Sequence, residues 1–282
     1  MKSLSESDSV NHIVIRPPAG LLAVNAGELW KHRELAYFFA WKEVKVRYKQ
    51  TAMGVLWAVF QPLAGMVVFT VFFGKLAKIP SDGAPYPLFV YTGLIFWNYF
   101  SSSIIRSSES ITGNASIIQK VYFPRLIIPI SVSLAGLVDF AVSAVLLVCL
   151  MAYYGYAPGA AFALFAPFFL LMTFLSTVGI GSFLGALNVR YRDVRYIVPF
   201  FMQIMLFLTP VIYPVSMIGH RYGWILAVNP MSGVIEAARF FLFGTGAFAP
   251  KSFFVSAAMS LLLFAAGMIY FRKAESFFAD VI

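Results

Sequence analysis

Of 282 residues, 60% are apolar types and only 12% are charged, and the formal net charge is +9. Soluble proteins carry about 25% charged residues, so a soluble enzyme is excluded, and no hydrophilic basic domain exists on which nucleic-acid binding could rest. The composition is that of an integral membrane protein.

Residues 1–27 open the chain as a polar, Ser-rich stretch with Glu6, Asp8 and Pro17-Pro18, which reads as a flexible tail without the apolar core of a signal peptide. Residues 28–49, ELWKHRELAYFFAWKEVKVRYK, follow with helical periodicity. At 100° per residue Trp30, Tyr37, Trp41, Val44 and Tyr48 share one side, with Lys31, Lys42, Lys45 and Lys49 on an adjoining flank. Such a helix is expected in the headgroup region, rings toward lipid and lysines toward phosphate. Leu35, Phe39 and Val46 point the other way, which suits either a protein partner or simple anchoring.

Six runs then follow, at 52–74, 87–105, 126–156, 160–189, 196–218 and 252–271. Each is near or above the ~20 residues that cross a ~30 Å hydrocarbon core as helix. They lack the alternation of barrel strands, and backbone groups in lipid must bond within their own segment, so an all-α fold of six transmembrane helices is expected. Gln61-Pro62 lies inside the first run; the proline removes a backbone bond and is expected to bend the helix. Cys149, the sole cysteine, sits inside the third run, where it reads as a small buried hydrophobe.

The connections differ in character. In 112–125, Gly113-Asn114 breaks the preceding helix, Asn114 or Ser116 can cap a short new one, and Pro124 stops it, giving either a docking helix or an ordinary connector. In LNVRYRDVRYIVP, 187–199, Arg190, Arg192 and Arg195 surround Asp193, a pattern that serves as topological anchor or phosphate contact. The connection from about 210 to 251 contains Pro210 and Pro214, then Asn229-Pro230 as a helix start, and a helical stretch MSGVIEAARFFLFG closed by Gly244. Fourteen residues are too few to span. A re-entrant helical hairpin at 219–247 is expected, with Glu236 and Arg239 spaced to neutralise each other. It would form a gate or pore mouth, because such a hairpin survives at membrane depth only when protein or water covers it.

Sixteen of the 21 Lys and Arg residues fall on one side of this plan: in 1–51, in the connections after the second and fourth runs, and in the C-terminal tail. That bias places both termini in the cytoplasm, against anionic lipid. No GxxxxGK[ST] loop occurs, so ATP-driven work would need another subunit. His12, His32 and His220 are scattered without partner ligands, and no metal site is expected. Neither a nucleophile motif nor a pair of intramembrane acids is present, which argues against a hydrolase, a polymerase or a proton-coupled carrier. Asp139 stands alone near the middle of the third run, either as a functional carboxylate or as a structural one bonded to a neighbouring helix. Aromatic residues such as Phe96, Trp97, Tyr99 and Tyr213 suit an interface belt or a surface along which sugars slide.

WKEVKVRYKQTAMGVLWAVFQPL, YPLFVYTGLIFWNYF, NASIIQKVYFPRLIIP, LNVRYRDVRYIVPF, TPVIYP and NPMSGVIEAARF resemble, in order, the sequence blocks of the membrane subunit of ABC type-2 polysaccharide exporters, over residues 28–244. These permeases export O-antigen, capsular polysaccharide or teichoic acid. The resemblance implies an inner-membrane homodimer bound to two copies of a separate ATPase, which holds ATP and Mg, and a lipid-linked polymer passing along the permease interface. No cofactor is implied in this chain. It further implies that Trp30, Arg33, Asn114, Ile117, Ile118, Lys120 and Tyr122 meet the ATPase. Arg47, Tyr48, Lys49 and Gln50 would meet the phosphate of an undecaprenyl-diphosphate-linked glycan, O-antigen above all, and Phe96, Trp97, Tyr99, Tyr213, Glu236 and Arg239 would line channel and gate. An ABC type-2 exporter of drugs or small lipids, and a secondary carrier using Asp139, are the alternatives.

Overall fold

The computed structural model describes residues 26–49, 54, 56–157, 159–246, 248–276 and 278. Gln50, His12 and nearly all of the 1–27 tail lie outside the described residues. The described residues form helices and connecting turns without strands. A short helix α1 (Ala26–Lys31) meets α2 (Arg33–Tyr48) at His32. α2 exposes Tyr37, Phe38 and Trp41 and buries Phe39, whereas Tyr48, expected on the side of Tyr37 and Trp41, is half-buried and bonded to α6. Val46, expected on the inward face, is instead exposed.

α3 (Leu56–Phe69) continues as a π-helix over Thr70–Leu76. The helix runs through Pro62 without a stop; the departure from α geometry comes two turns later, in the π segment, where the bonding register widens. α4 (Tyr86–Gly113) follows, then α5 (Ala115–Ile118), α6 (Ile127–Tyr153) and α7 (Ala160–Arg190). α8 (Val194–Leu208) is linked through a 3-10 turn at Val215–Ile218 to α9 (Gly219–Val228), α10 (Pro230–Phe243) and the final helix α11 (Pro250–Glu275). Five of these are long and apolar enough to span: α3 with its π extension, α4, α6, α7 and α11.

The fifth run, expected to span at 196–218, is helical only over Val194–Leu208. Fifteen residues reach about 22 Å, short of a ~30 Å core. The helix stops because Pro210 disfavours helix in the residue before it.

α4 is the centre of the bundle. Its apolar window is 78% buried against 11% for the α3 span, so α4 is enclosed by α3, α6, α7, α8 and α10 while α3 lies at the margin. Small residues allow the close crossings. A Cβ on Gly267 of α11 would come within 2.0 Å of the Gly179 carbonyl oxygen of α7, so backbone meets backbone there.

Candidate functional site

α2 is tied to α6 over nearly its whole length. Ser131 Oγ donates to the Ala36 carbonyl at 3.0 Å, and eight residues further along α6 Asp139 receives both an ion pair from Arg47 and a hydrogen bond from the Tyr48 hydroxyl. Eight residues are about 12 Å of helix, so α2 climbs beside α6 and delivers its C-terminal end into the bundle. Asp139 is thus bonded, but to the interface helix and not to a Ser or Thr of a neighbouring span.

Beside this junction lies a polar cavity of about 190 Å³. α2 contributes Arg47 and Tyr48, α3 contributes Gln61, and α6 contributes Asp139 and Ser143. The fourth wall is a polar stripe on α4: Asn98, Ser101, Ser102 and Arg106, at spacings of three and four that put them on one helix face. Tyr99 also borders the cavity, donating to the Ser133 carbonyl at 3.2 Å. Burial first, and the charge of Arg106 second, push the Arg47 guanidinium down to about 10, with Glu43 acting in the opposite sense; it remains cationic at neutral pH. A cavity with two guanidiniums, hydroxyls and amides inside an apolar bundle is suited to an anionic, hydroxyl-rich ligand.

Asn98, Ser101 and Ser102 lie inside the uncharged run 87–105 with no charge to mark them, and Arg106 falls just past its end although α4 continues to Gly113. The i, i+4, i+8 series Asn98, Ser102, Arg106 was the available signal. Lys49 is exposed and does not border the cavity. Gln50 lies outside the described residues.

The same α2 reaches the short connection after α4. Lys42 Nζ donates to Asn114 Oδ1 at 2.8 Å, and Asn114 Nδ2 donates to the Ser110 carbonyl at 2.8 Å. Asn114 therefore stands at the start of α5 without capping it through its side chain, which is engaged by Lys42 and by the end of α4. Ile118 is buried and Ile117 half-buried, so both fasten α5 to the protein, whereas Lys120 and Tyr122 are exposed. Trp30 is exposed, with the Arg33 guanidinium 5.4 Å above its ring. In the connection after α7, Arg190 and Arg195 lie over Tyr191 and Tyr196, and no ion pair to Asp193 forms among the described residues.

At the opposite end of the bundle, the Asn229 side chain accepts from the Met231 N–H at 3.0 Å with Pro230 in the first turn of α10, and Gly244 closes the helix at φ 64°. Most of α10 is buried against α4, α7 and α11, which supplies the protein cover a re-entrant segment needs. Arg239 does not pair with Glu236. Its Nη1 donates to the Pro210 carbonyl at 2.6 Å, its Nη2 to Val211 at 2.6 Å and its Nε to Phe89 at 2.9 Å, with the guanidinium 3.5 Å over the Phe89 ring. Five donors in a rigid fork match two carbonyls in the break after α8 and the Phe89 carbonyl of α4, which outweighs a half-buried carboxylate one turn away. Glu236 instead borders a small pocket with Asp82.

Of the remaining aromatics, Phe96 is buried edge-on against Phe140 and lines neither large cavity. Trp97 and Tyr213 border a cavity of about 880 Å³ whose walls, from α4, α7, α8, α9 and α11, are almost wholly apolar. No group of His, Cys, Asp and Glu arranged to hold a metal occurs among the described residues.

Residues 34–243 match the model of the ABC-2 type transporter family. The chain is 30% identical over 242 residues to the O-antigen export system permease protein RfbA of Klebsiella pneumoniae, covering 86% of this chain and 92% of that one. The protein of the same name from Myxococcus xanthus is 30% identical over 255 residues, 89% of this chain and 96% of its own. The polysialic acid transport protein KpsM of Escherichia coli is 24% identical over 203 residues, 70% and 77% of the two chains. The matched span runs from the start of α2 to the end of α10, and so takes in α2, the polar cavity and α10. This membrane-spanning chain belongs to the ABC-2 type transporter family.

Proposed function

We propose that the protein is the permease subunit of an ATP-driven exporter that carries undecaprenyl-diphosphate-linked polysaccharide, O-antigen in the first place, across the cytoplasmic membrane. The observation that carries the reading is the Arg47 cavity: a cationic, hydroxyl-lined recess placed where the interface helix enters the bundle between α3, α4 and α6. The relatives' names, O-antigen export permease and polysialic acid transport protein, supply the substrate class.

In this reading the end of the bundle carrying α1, α2 and α5 faces the cytoplasm, with both termini on that side. Two copies of the chain associate, and each binds one copy of a separate ATPase that holds ATP and Mg²⁺. Tyr122, Lys120 and Trp30 offer the exposed contacts for that subunit, while Asn114, Ile117 and Ile118 keep α5 fixed to α2 and the core. The lipid's phosphates engage Arg47, assisted by the Tyr48 hydroxyl, and the sugar chain follows along the Ser and Asn face of α4. Arg47 offers a planar fork to phosphate oxygens, which is why it and not exposed Lys49 is assigned the contact. Transport here needs binding, conduction and gating and no covalent step.

One observation favours a second reading. An 880 Å³ apolar cavity lies within the size range of drug-sized ligand pockets, so a small-lipid or drug exporter would use it in place of the polar one. A secondary carrier has less support, since Asp139 is engaged by Arg47 and Tyr48.

The test is co-purification with a candidate ATPase subunit, followed by ATP hydrolysis in lipid nanodiscs. A stable two-plus-two complex whose hydrolysis responds to the undecaprenyl-diphosphate-linked glycan, and not to free sugar or common drugs, supports the proposal. Response to drugs alone would favour the apolar cavity, and absence of any ATPase in the complex would end the reading.

A further inference from the structure

The polar cavity contains more charge than one arginine. Arg47 from α2 and Arg106 from α4 both border it; Arg106 is exposed, has the Glu43 carboxylate of α2 acting on it, and forms no ion pair among the described residues. Arg47, by contrast, is held by the Asp139 carboxylate, which also takes the Tyr48 hydroxyl. Asp139 is therefore an anion already seated on the donors that a phosphate would need. A buried guanidinium left without an anion would be costly, so a cation built to receive a phosphate at this depth needs a counter-ion while the site is empty.

We propose that the lipid diphosphate is bound by two arginines on different helices, Arg47 and Arg106, and that Asp139 is a stand-in anion on Arg47 which the arriving phosphate displaces. The inference rests on the lipid-linked polysaccharide reading. Its consequence is mechanical. Release of Arg47 and Tyr48 from Asp139 unties the C-terminal end of α2 from α6, while Lys42 keeps α2 bonded to Asn114 at the start of α5. Occupation of the cavity is thereby felt at the cytoplasmic element offered to the ATPase. Two cations on separate walls also select a diphosphate over a monophosphate, because the second phosphate has its own partner.

The test uses the assembled complex in nanodiscs and measures binding of undecaprenyl diphosphate, undecaprenyl monophosphate and inorganic diphosphate. The wild type is expected to bind the lipid diphosphate most tightly. Arg106→Gln should weaken the lipid diphosphate by about tenfold, the worth of one charge-assisted bond, and change monophosphate binding little. Asp139→Asn should tighten diphosphate binding several-fold, and the gain should vanish in the Arg47→Gln background, since no competition remains to be relieved. Equal loss of both lipids in Arg106→Gln, or an assembled Asp139→Asn complex that binds no tighter, overturns the proposal. Should Asp139→Asn fail to assemble, hydrogen exchange on the wild type decides: residues 40–49 exchange faster with the lipid diphosphate bound, and unchanged or slower exchange overturns the stand-in role. Inorganic diphosphate binding as tightly as the lipid would reassign the site to a free anion. Failure of the wild type to bind either lipid phosphate would sink the lipid-linked reading itself, a result distinct from the Arg106 and Asp139 outcomes.

Discussion

Two buried or half-buried arginines at opposite ends of this bundle do opposite work. Arg239 gives its nitrogens to three backbone carbonyls, two in the turn after α8 and one in α4, and lies flat on Phe89; none of these partners can leave without disrupting backbone structure. Arg47 has one carboxylate partner on another helix and faces a cavity. The first arrangement is a structural clasp and the second is proposed as a site, though the residue type is shared. What separates them is whether the partner is backbone or an exchangeable side chain, and whether empty space adjoins the pair.

Substitutions can sharpen or break this contrast. Arg239→Ala should have the largest effect: three carbonyls lose their donor at about 1–3 kcal/mol each, and the protein should be lost from the membrane as well as from the export assay, read by immunoblot of membrane fractions. Arg239→Lys should recover part of the loss, because one ammonium cannot reach three carbonyls in the geometry of a fork. Gly93→Ala attacks the same clasp from α4. Its Cβ would lie 2.5 Å from Arg239 Nη2 and 3.2 Å from the Val211 Cα, so a lowered melting temperature in detergent is expected, smaller than for Arg239→Ala.

Arg47→Ala should leave membrane abundance and ATPase co-purification near wild type and abolish surface polysaccharide, because Asp139 keeps the Tyr48 bond. Loss of abundance equal to that of Arg239→Ala would erase the distinction between clasp and site. Smallest of the set is Asn114→Ala, which removes the Lys42 link at about 1 kcal/mol. Reduced glycan stimulation of ATP hydrolysis with normal complex yield is expected.

The sequence foretold the helices better than their partners. Uncharged runs located every span to within a few residues where the run also ended the helix, as in α6 and α7. The rule misjudged α4, because a helix leaving the hydrocarbon core keeps its backbone bonds after its first arginine. It also misjudged α8, because apolar residues continue through Thr209–Pro214 although proline ends the helix there. Asn229 and Gly244 were readable as caps since a cap depends on local sequence alone. Glu236 with Arg239, and Asn114 as a cap, were misread for the opposite reason. Each side chain found a stronger partner from a helix distant in sequence, the carbonyls after α8 in one case and Lys42 in the other. Arg47 is visible in the sequence as a cation ahead of the first apolar run, but its pairing with Asp139 joins residues 92 positions apart, which no local spacing reports.

The central claim is that the lipid's phosphates enter the polar cavity. Its most direct test is photo-crosslinking of the assembled complex with an undecaprenyl diphosphate that carries a photoreactive group beside the phosphates, followed by mapping of the adducts by mass spectrometry. The account requires adducts on the cavity walls, within residues 98–106 of α4 and 139–143 of α6, diminished by Arg47→Ala. Adducts confined to α8 and α11, around the apolar cavity, and unaffected by Arg47→Ala, would contradict it.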